Sequence, residues 1–189
     1  MTIFIHGFGS SGMSNNAKLI RDYFKEKNLP YIAPSLSYIP ELAVTTLEEL
    51  IASYDKVNLI GESLGGYYAL YLAHKYQLKA VLINPSIYPE ETLKRHIKDS
   101  ATAHYDGSHF VWRKRHLKML EAYKVKDKVM DANYFLLLQK GDTVLDYREA
   151  VDRLPNASMV IEEGGSHLFE GIERYFEKIS KFHGKMIYG

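Results

Sequence analysis

The run Val57-Asn58-Leu59-Ile60 leads straight into Gly61-Glu62-Ser63-Leu64-Gly65, and then into the helix-forming stretch Gly66-Tyr67-Tyr68-Ala69-Leu70-Tyr71-Leu72-Ala73. A short apolar strand, a Gly-x-Ser-x-Gly turn and a helix in that order make a nucleophile elbow, which leaves its serine standing at a strained corner. Gly61 and Gly65 leave room for close packing of strand and helix there. Ser63 is therefore the candidate nucleophile.

The rest of the chain repeats the alternation. Apolar runs at 2–6, 31–33, 56–60, 79–84, 133–139 and 158–162 read as buried strands. Helical patterns fall at 15–28, opened by Ser14 or Asn15, and at about 44–53, 65–77, 146–154 and 169–182. Each parallel crossover needs a helix to carry the chain back, so the expected class is α/β. The expected architecture is a mostly parallel, six-stranded sheet with helices on both faces. The short strand near 31–33 forms one edge. At 189 residues the chain is expected to be a single domain, 1–189.

One interval is too long for a simple crossover. About 45 residues separate Asn84-Pro85 from the strand near Asn133, so 88–131 is expected to be a helical, cap-like insertion over the strand ends. It carries ten Lys/Arg against seven Asp/Glu, a mixture more typical of a solvated helical face than of a binding patch. Within it, Asp99 to Ser108 has the weakest pattern and is expected to be mobile.

A serine hydroxyl needs a base, and the base needs a third group to fix its tautomer. The strand Tyr134 to Leu138 is followed by Gln139-Lys140-Gly141-Asp142, and the strand Met159-Val160-Ile161 leads through Gly164-Gly165 to Ser166-His167. Both candidates lie at carboxyl ends of strands, where sites collect in open α/β sheets. The order Ser63, Asp142, His167 is that of α/β-hydrolases, not of chymotrypsin-like or subtilisin-like proteases. Asp142 is preferred as the acid over Asp146, which is placed to cap the helix beginning at Tyr147. The backbone N–H groups of Phe8 and Leu64 are the candidate oxyanion donors. Glu62 reads as a solvated or locally hydrogen-bonded side chain rather than a catalytic one.

Other readings are weaker. Gly7-Phe8-Gly9-Ser10-Ser11-Gly12 is a literal G-x-G-x-x-G, yet the acidic residue that a dinucleotide ribose wants is absent from Tyr31 to Ser35. His104, Asp106 and His109 lack a rigid element to hold a metal, so no metal and no cofactor is expected. A net charge of +1 gives no field that would attract nucleic acid. The start Met1 to Gly7 shows no basic leader or membrane span, and the chain has no cysteine, so the cytoplasm is the expected compartment.

These residues together resemble the small bacterial YqiA-type esterases of the α/β-hydrolase superfamily. The likeness runs through His6-Gly7-Phe8, Gly61 to Ala69, Ile83-Asn84-Pro85, Gly141 to Tyr147 and Glu163 to His167. It implies cleavage of acyl esters or thioesters, a triad of Ser63, Asp142 and His167, and no cofactor. The acyl pocket is expected beneath 88–131. The local basic surplus there leaves room for an anionic leaving group such as coenzyme A. Peptidase or acyltransferase chemistry could use the same triad, and a hydrolase fold kept as a binding protein is the alternative from another class.

Overall fold

Unbroken apolar runs suit strands covered on both faces, and the computed structural model, which describes residues 1–97, 100–102 and 107–184, shows them so placed. In chain order the elements are β1 (Thr2–Ile5), α1 (Asn15–Glu26), β2 (Tyr31–Ile32), α2 (Pro40–Ala52), β3 (Asn58–Glu62), α3 (Leu64–Tyr76) and β4 (Lys79–Ile83). Then come α4 (Pro89–Thr92), β5 (Ser100–Thr102), β6 (His109–Val111), α5 (Lys114–Glu121), β7 (Tyr134–Gln139), α6 (Tyr147–Arg153), β8 (Ser158–Glu162) and α7 (Phe176–His183). The six-stranded sheet has the order β2-β1-β3-β4-β7-β8, and every pairing in it is parallel.

Side chains alternate across this sheet. Ile3, Ile5, Leu59, Ala80, Leu82, Tyr134, Leu136 and Leu138 face the core built with α2, α3, α5 and α6. Phe4, Ile60, Val81, Ile83, Phe135 and Leu137 face the other, built with α1 and α7. The sheet order also reverses: the chain winds outward from β1 to β2 and then returns to the far side of β1 as β3. Loops leaving β1 and β3 therefore diverge at their carboxyl ends and open a crevice. Among the described residues no helix is long and apolar enough to cross a membrane.

Three elements differ from the sequence expectation. α2 starts at Pro40, several residues before the expected helix at 44–53, because a proline with its fixed φ suits a first helical position. The helix expected over 169–182 is split into a 3-10 turn, Ile172–Tyr175, and α7. Phe169 and Gly171 have φ of 54° and 72°, and a right-handed helix cannot run through left-handed residues. Segment 88–131 holds the short helices α4 and α5 but also an antiparallel hairpin, β5–β6. Half of the stretch expected to be mobile, Asp99 to Ser108, lies outside the described residues.

The insertion is anchored by rings. Phe8 meets Phe110 and Trp112 edge-on at centroid distances of 5.4 and 5.0 Å, and Tyr38 stacks on Phe110 at 4.5 Å. Such pairs add about 0.5–1.5 kcal/mol each beyond area burial. They clamp the hairpin to the loop that follows β1.

Candidate active site

The corner between β3 and α3 is strained as its sequence requires. Ser63 has φ 54° and ψ −120°, a conformation costly for any residue with a Cβ. The surroundings over-determine it: Ser63 N–H donates to Ile83 O at 3.1 Å, and Ser63 O accepts from Gly66 N at 2.9 Å and Ser86 N at 3.0 Å. A Cβ on Gly65 would come within 1.9 Å of Ile5 O, so only glycine lets α3 sit this close to β1.

The two loops predicted to hold acid and base meet this corner. His167 Nε2 lies 3.0 Å from Ser63 Oγ, and His167 Nδ1 lies 2.7 Å from Asp142 Oδ2. Asp142 Oδ1 accepts from Val144 N and Leu145 N at 2.8 and 2.9 Å. Burial pushes the Asp142 carboxyl up, but its hydrogen bonds from His167, Leu145 and Val144 outweigh that and hold it below the usual range. Asp146 is turned away: it caps α6 by accepting from Arg148 N at 3.0 Å and pairs with the Arg148 guanidinium. Acid loop and base loop are joined by Gly141 N donating to Gly164 O at 2.7 Å. A Cβ on Gly141 would fall 2.2 Å from Gly165 O.

Phe8 and Leu64 flank the corner. The Leu64 N–H opens α3 and is one of the helix-end donors with no partner inside the helix. The loop bearing Phe8 runs against the serine, since a Cβ on Gly7 would stand 3.1 Å from Ser63 Cβ. His6 fixes that loop from behind. Its Nε2 accepts from Leu36 N at 2.8 Å, so Nδ1 carries the proton and donates to Gly7 O at 2.9 Å. Burial lowers its pKa and keeps it neutral near pH 7. The G-x-G-x-x-G thus faces the serine crevice, and α1 begins only at Asn15. Among the described residues no group of three metal-ligating side chains converges, and His104 and Asp106 lie outside them.

Sequence reasoning missed three amides that hold the base loop. Asn84 Nδ2 donates to Ser166 O and His167 O at 3.0 and 3.1 Å, while its Oδ1 accepts from Gln139 N. Gln139 Oε1 accepts from Ser166 N and Glu170 N. Asn16 Nδ2 donates to Leu168 O at 2.6 Å and to Glu62 Oε1 at 2.8 Å. A polar amide closing an apolar run, as in Ile83-Asn84 and Leu138-Gln139, is the signal that could have found two of them.

Glu62 is locally hydrogen-bonded, as one of the expectations had it, but it is not solvated, being only 6% exposed. Burial pushes its carboxyl up to about 7, against the opposing pulls of the Asn16 hydrogen bond and the His167 imidazole. The folded protein therefore holds a proton that the unfolded chain releases between about pH 4.5 and 7, and stability falls as pH rises through that window. Glu62→Gln keeps an acceptor for Asn16 and abolishes the titration. The variant should match the parent in denaturant unfolding at pH 4.5 and exceed it at pH 8 by up to about 3 kcal/mol. A difference that does not change with pH would remove this account of Glu62.

A parallel sheet with a positive-φ serine after one central strand, and with an aspartate and a histidine meeting it from the loops of later strands, defines an α/β-hydrolase fold. Solved structures agree: the mouse α/β hydrolase domain-containing protein 10 matches with a TM-score of 0.74 at 15% identity, over 98% of this chain and 90% of that one. Est1E from Butyrivibrio proteoclasticus, determined with ferulic acid bound, matches with a TM-score of 0.71 at 14% identity, over 96% and 86%. The family model described as "Uncharacterised protein family (UPF0227)" matches residues 1–184, and the chain belongs to this family. A UPF0227 protein of Vibrio vulnificus is 23% identical over 96% of this chain and 98% of its own length.

Proposed function

We propose that this chain is a serine hydrolase that cleaves carboxylic esters or thioesters through an acyl-enzyme on Ser63. The observation that carries the reading is the continuous relay from Asp142 through His167 to Ser63, with links of 2.7 and 3.0 Å, ending on a serine held at positive φ.

In this mechanism His167 Nε2 takes the proton of Ser63 Oγ as that oxygen attacks the substrate carbonyl carbon. Asp142 keeps the proton on Nδ1 and stabilises the imidazolium that forms. The oxyanion is received by the N–H groups of Phe8 and Leu64. His167 then passes its proton to the leaving oxygen or sulfur, the acyl group stays on Ser63, and a water deprotonated by His167 releases the acid.

The test is labelling with a fluorophosphonate, a reagent that reacts only with an activated serine. Stoichiometric phosphonylation of Ser63, none in Ser63→Ala, and turnover of p-nitrophenyl esters are expected. A folded protein that takes no label would favour a binding role on a hydrolase fold.

A further inference from the structure

Two cavities share Gly7, Phe8 and Ser10 as a wall, one lined by Ser63 itself and the other by its neighbour Leu64. The smaller, about 200 Å³, is walled by Phe8, Leu36, Tyr38, Leu64, Tyr68 and Phe110. The larger, about 780 Å³, contains Ser63 and His167 and runs between the start of α1 and the base loop. Chemistry distinguishes them. The base that takes the serine proton must hand it to the leaving group, so the leaving group lies on the side that His167 lines. Only the larger cavity has His167 in its wall. The acyl part is left the smaller cavity, beside the two residues whose N–H groups are the oxyanion donors.

Size and charge then restrict each half. An apolar cavity of roughly 150 Å³ holds one benzene, so this cavity of about 200 Å³, where aromatic rings are joined by His6, Ser37 and His109, has room for a short or single-ring acyl group. The larger cavity is lined by hydroxyls and amides such as Ser11, Ser14 and Asn15 and by the carboxyls of Glu62, Glu170 and Glu173. Among the described residues, no Lys or Arg lines either cavity. Two of the basic residues of 88–131 are engaged elsewhere: Lys124 pairs with Glu90, and the Arg115 side chain bonds His116.

Building on the serine-hydrolase reading, we propose that the substrate joins a small acyl group to a large polar leaving group without negative charge. The acyl group sits between Phe8 and Phe110, and the leaving group occupies the cleft beside His167. This reverses the sequence-based opening for coenzyme A, whose phosphates would meet carboxyls and, among the described lining residues, no Lys or Arg.

The experiment uses the full chain and two matched comparisons. Butyryl-pantetheine and butyryl-coenzyme A share acyl group and thioester and differ in the phosphorylated nucleotide. kcat/KM should favour the uncharged substrate by about tenfold at low ionic strength, and added salt should shrink the ratio. The double substitution Glu170→Gln with Glu173→Gln should narrow it further. With p-nitrophenol as a common leaving group, acetyl, butyryl and benzoyl esters should exceed the dodecanoyl ester by about tenfold or more. Equal or better turnover of butyryl-coenzyme A, or preference for dodecanoyl, overturns the proposal while leaving the hydrolase reading intact. Failure to turn over any ester, with no fluorophosphonate adduct on Ser63, overturns both.

Discussion

Ser63→Ala is expected to lower kcat on a p-nitrophenyl ester by roughly 10⁵- to 10⁶-fold, leaving a soluble, folded protein. His167→Ala should cost about as much, and the double variant hardly more, because nucleophile and base act as one unit. The fold should survive because the Ser63 side chain bonds His167 across a crevice, while the corner itself is held by backbone bonds to Ile83, Gly66 and Ser86. The strain gives a second signature. Alanine retains the Cβ and so retains the cost of φ 54°, whereas Ser63→Gly relieves about 1–2 kcal/mol. Ser63→Gly should therefore be inactive and more stable than Ser63→Ala in denaturant unfolding. Turnover of Ser63→Ala within tenfold of the parent would remove Ser63 as nucleophile.

Asp142→Asn is the second large effect, expected at about 10⁴-fold in kcat with little change in KM. The side chain is nearly enclosed, with 3% exposure, and holds His167 Nδ1 at 2.7 Å. An amide nitrogen in that place donates to Nδ1 and drives the ring proton to Nε2, which then cannot accept from Ser63. Asp146→Asn should leave kcat within a few-fold, since that residue caps α6 and faces Arg148, and asparagine caps nearly as well. A larger loss from Asp146→Asn than from Asp142→Asn would transfer the acid role. The asparagine carbonyl oxygen still accepts from Val144 N and Leu145 N in the Oδ1 place, so the loop keeps its hydrogen bonds and the loss falls on kcat, as a steady-state comparison at matched folded fraction would show.

Much of this was legible in one dimension. The six strands and their parallel pairing follow from apolar runs too continuous for a one-faced sheet, and the elbow follows from its glycines. Ser63, Asp142 and His167 could be picked out because each closes or follows a strand, where an α/β sheet presents its loops. The β5–β6 hairpin was not legible, because its short strands have neither the length nor the alternation that separates strand from loop. Asn16 was equally hidden. Its partners Glu62 and Leu168 stand 46 and 152 positions away, and nothing local in α1 marks it.

Local sequence determined the elements, the strain at residue 63 and the choice of three candidate side chains, since each depends on neighbours within a few residues. Tertiary structure alone decided that those side chains meet within 3.0 Å and that Glu62 is buried rather than solvated. It also decided that no described Lys or Arg of 88–131 lines either cavity beside the serine. These depend on which surfaces the folded chain brings together and which it shields from water, and a charge or a hydroxyl carries no record of its distant neighbours until the sheet has closed around it.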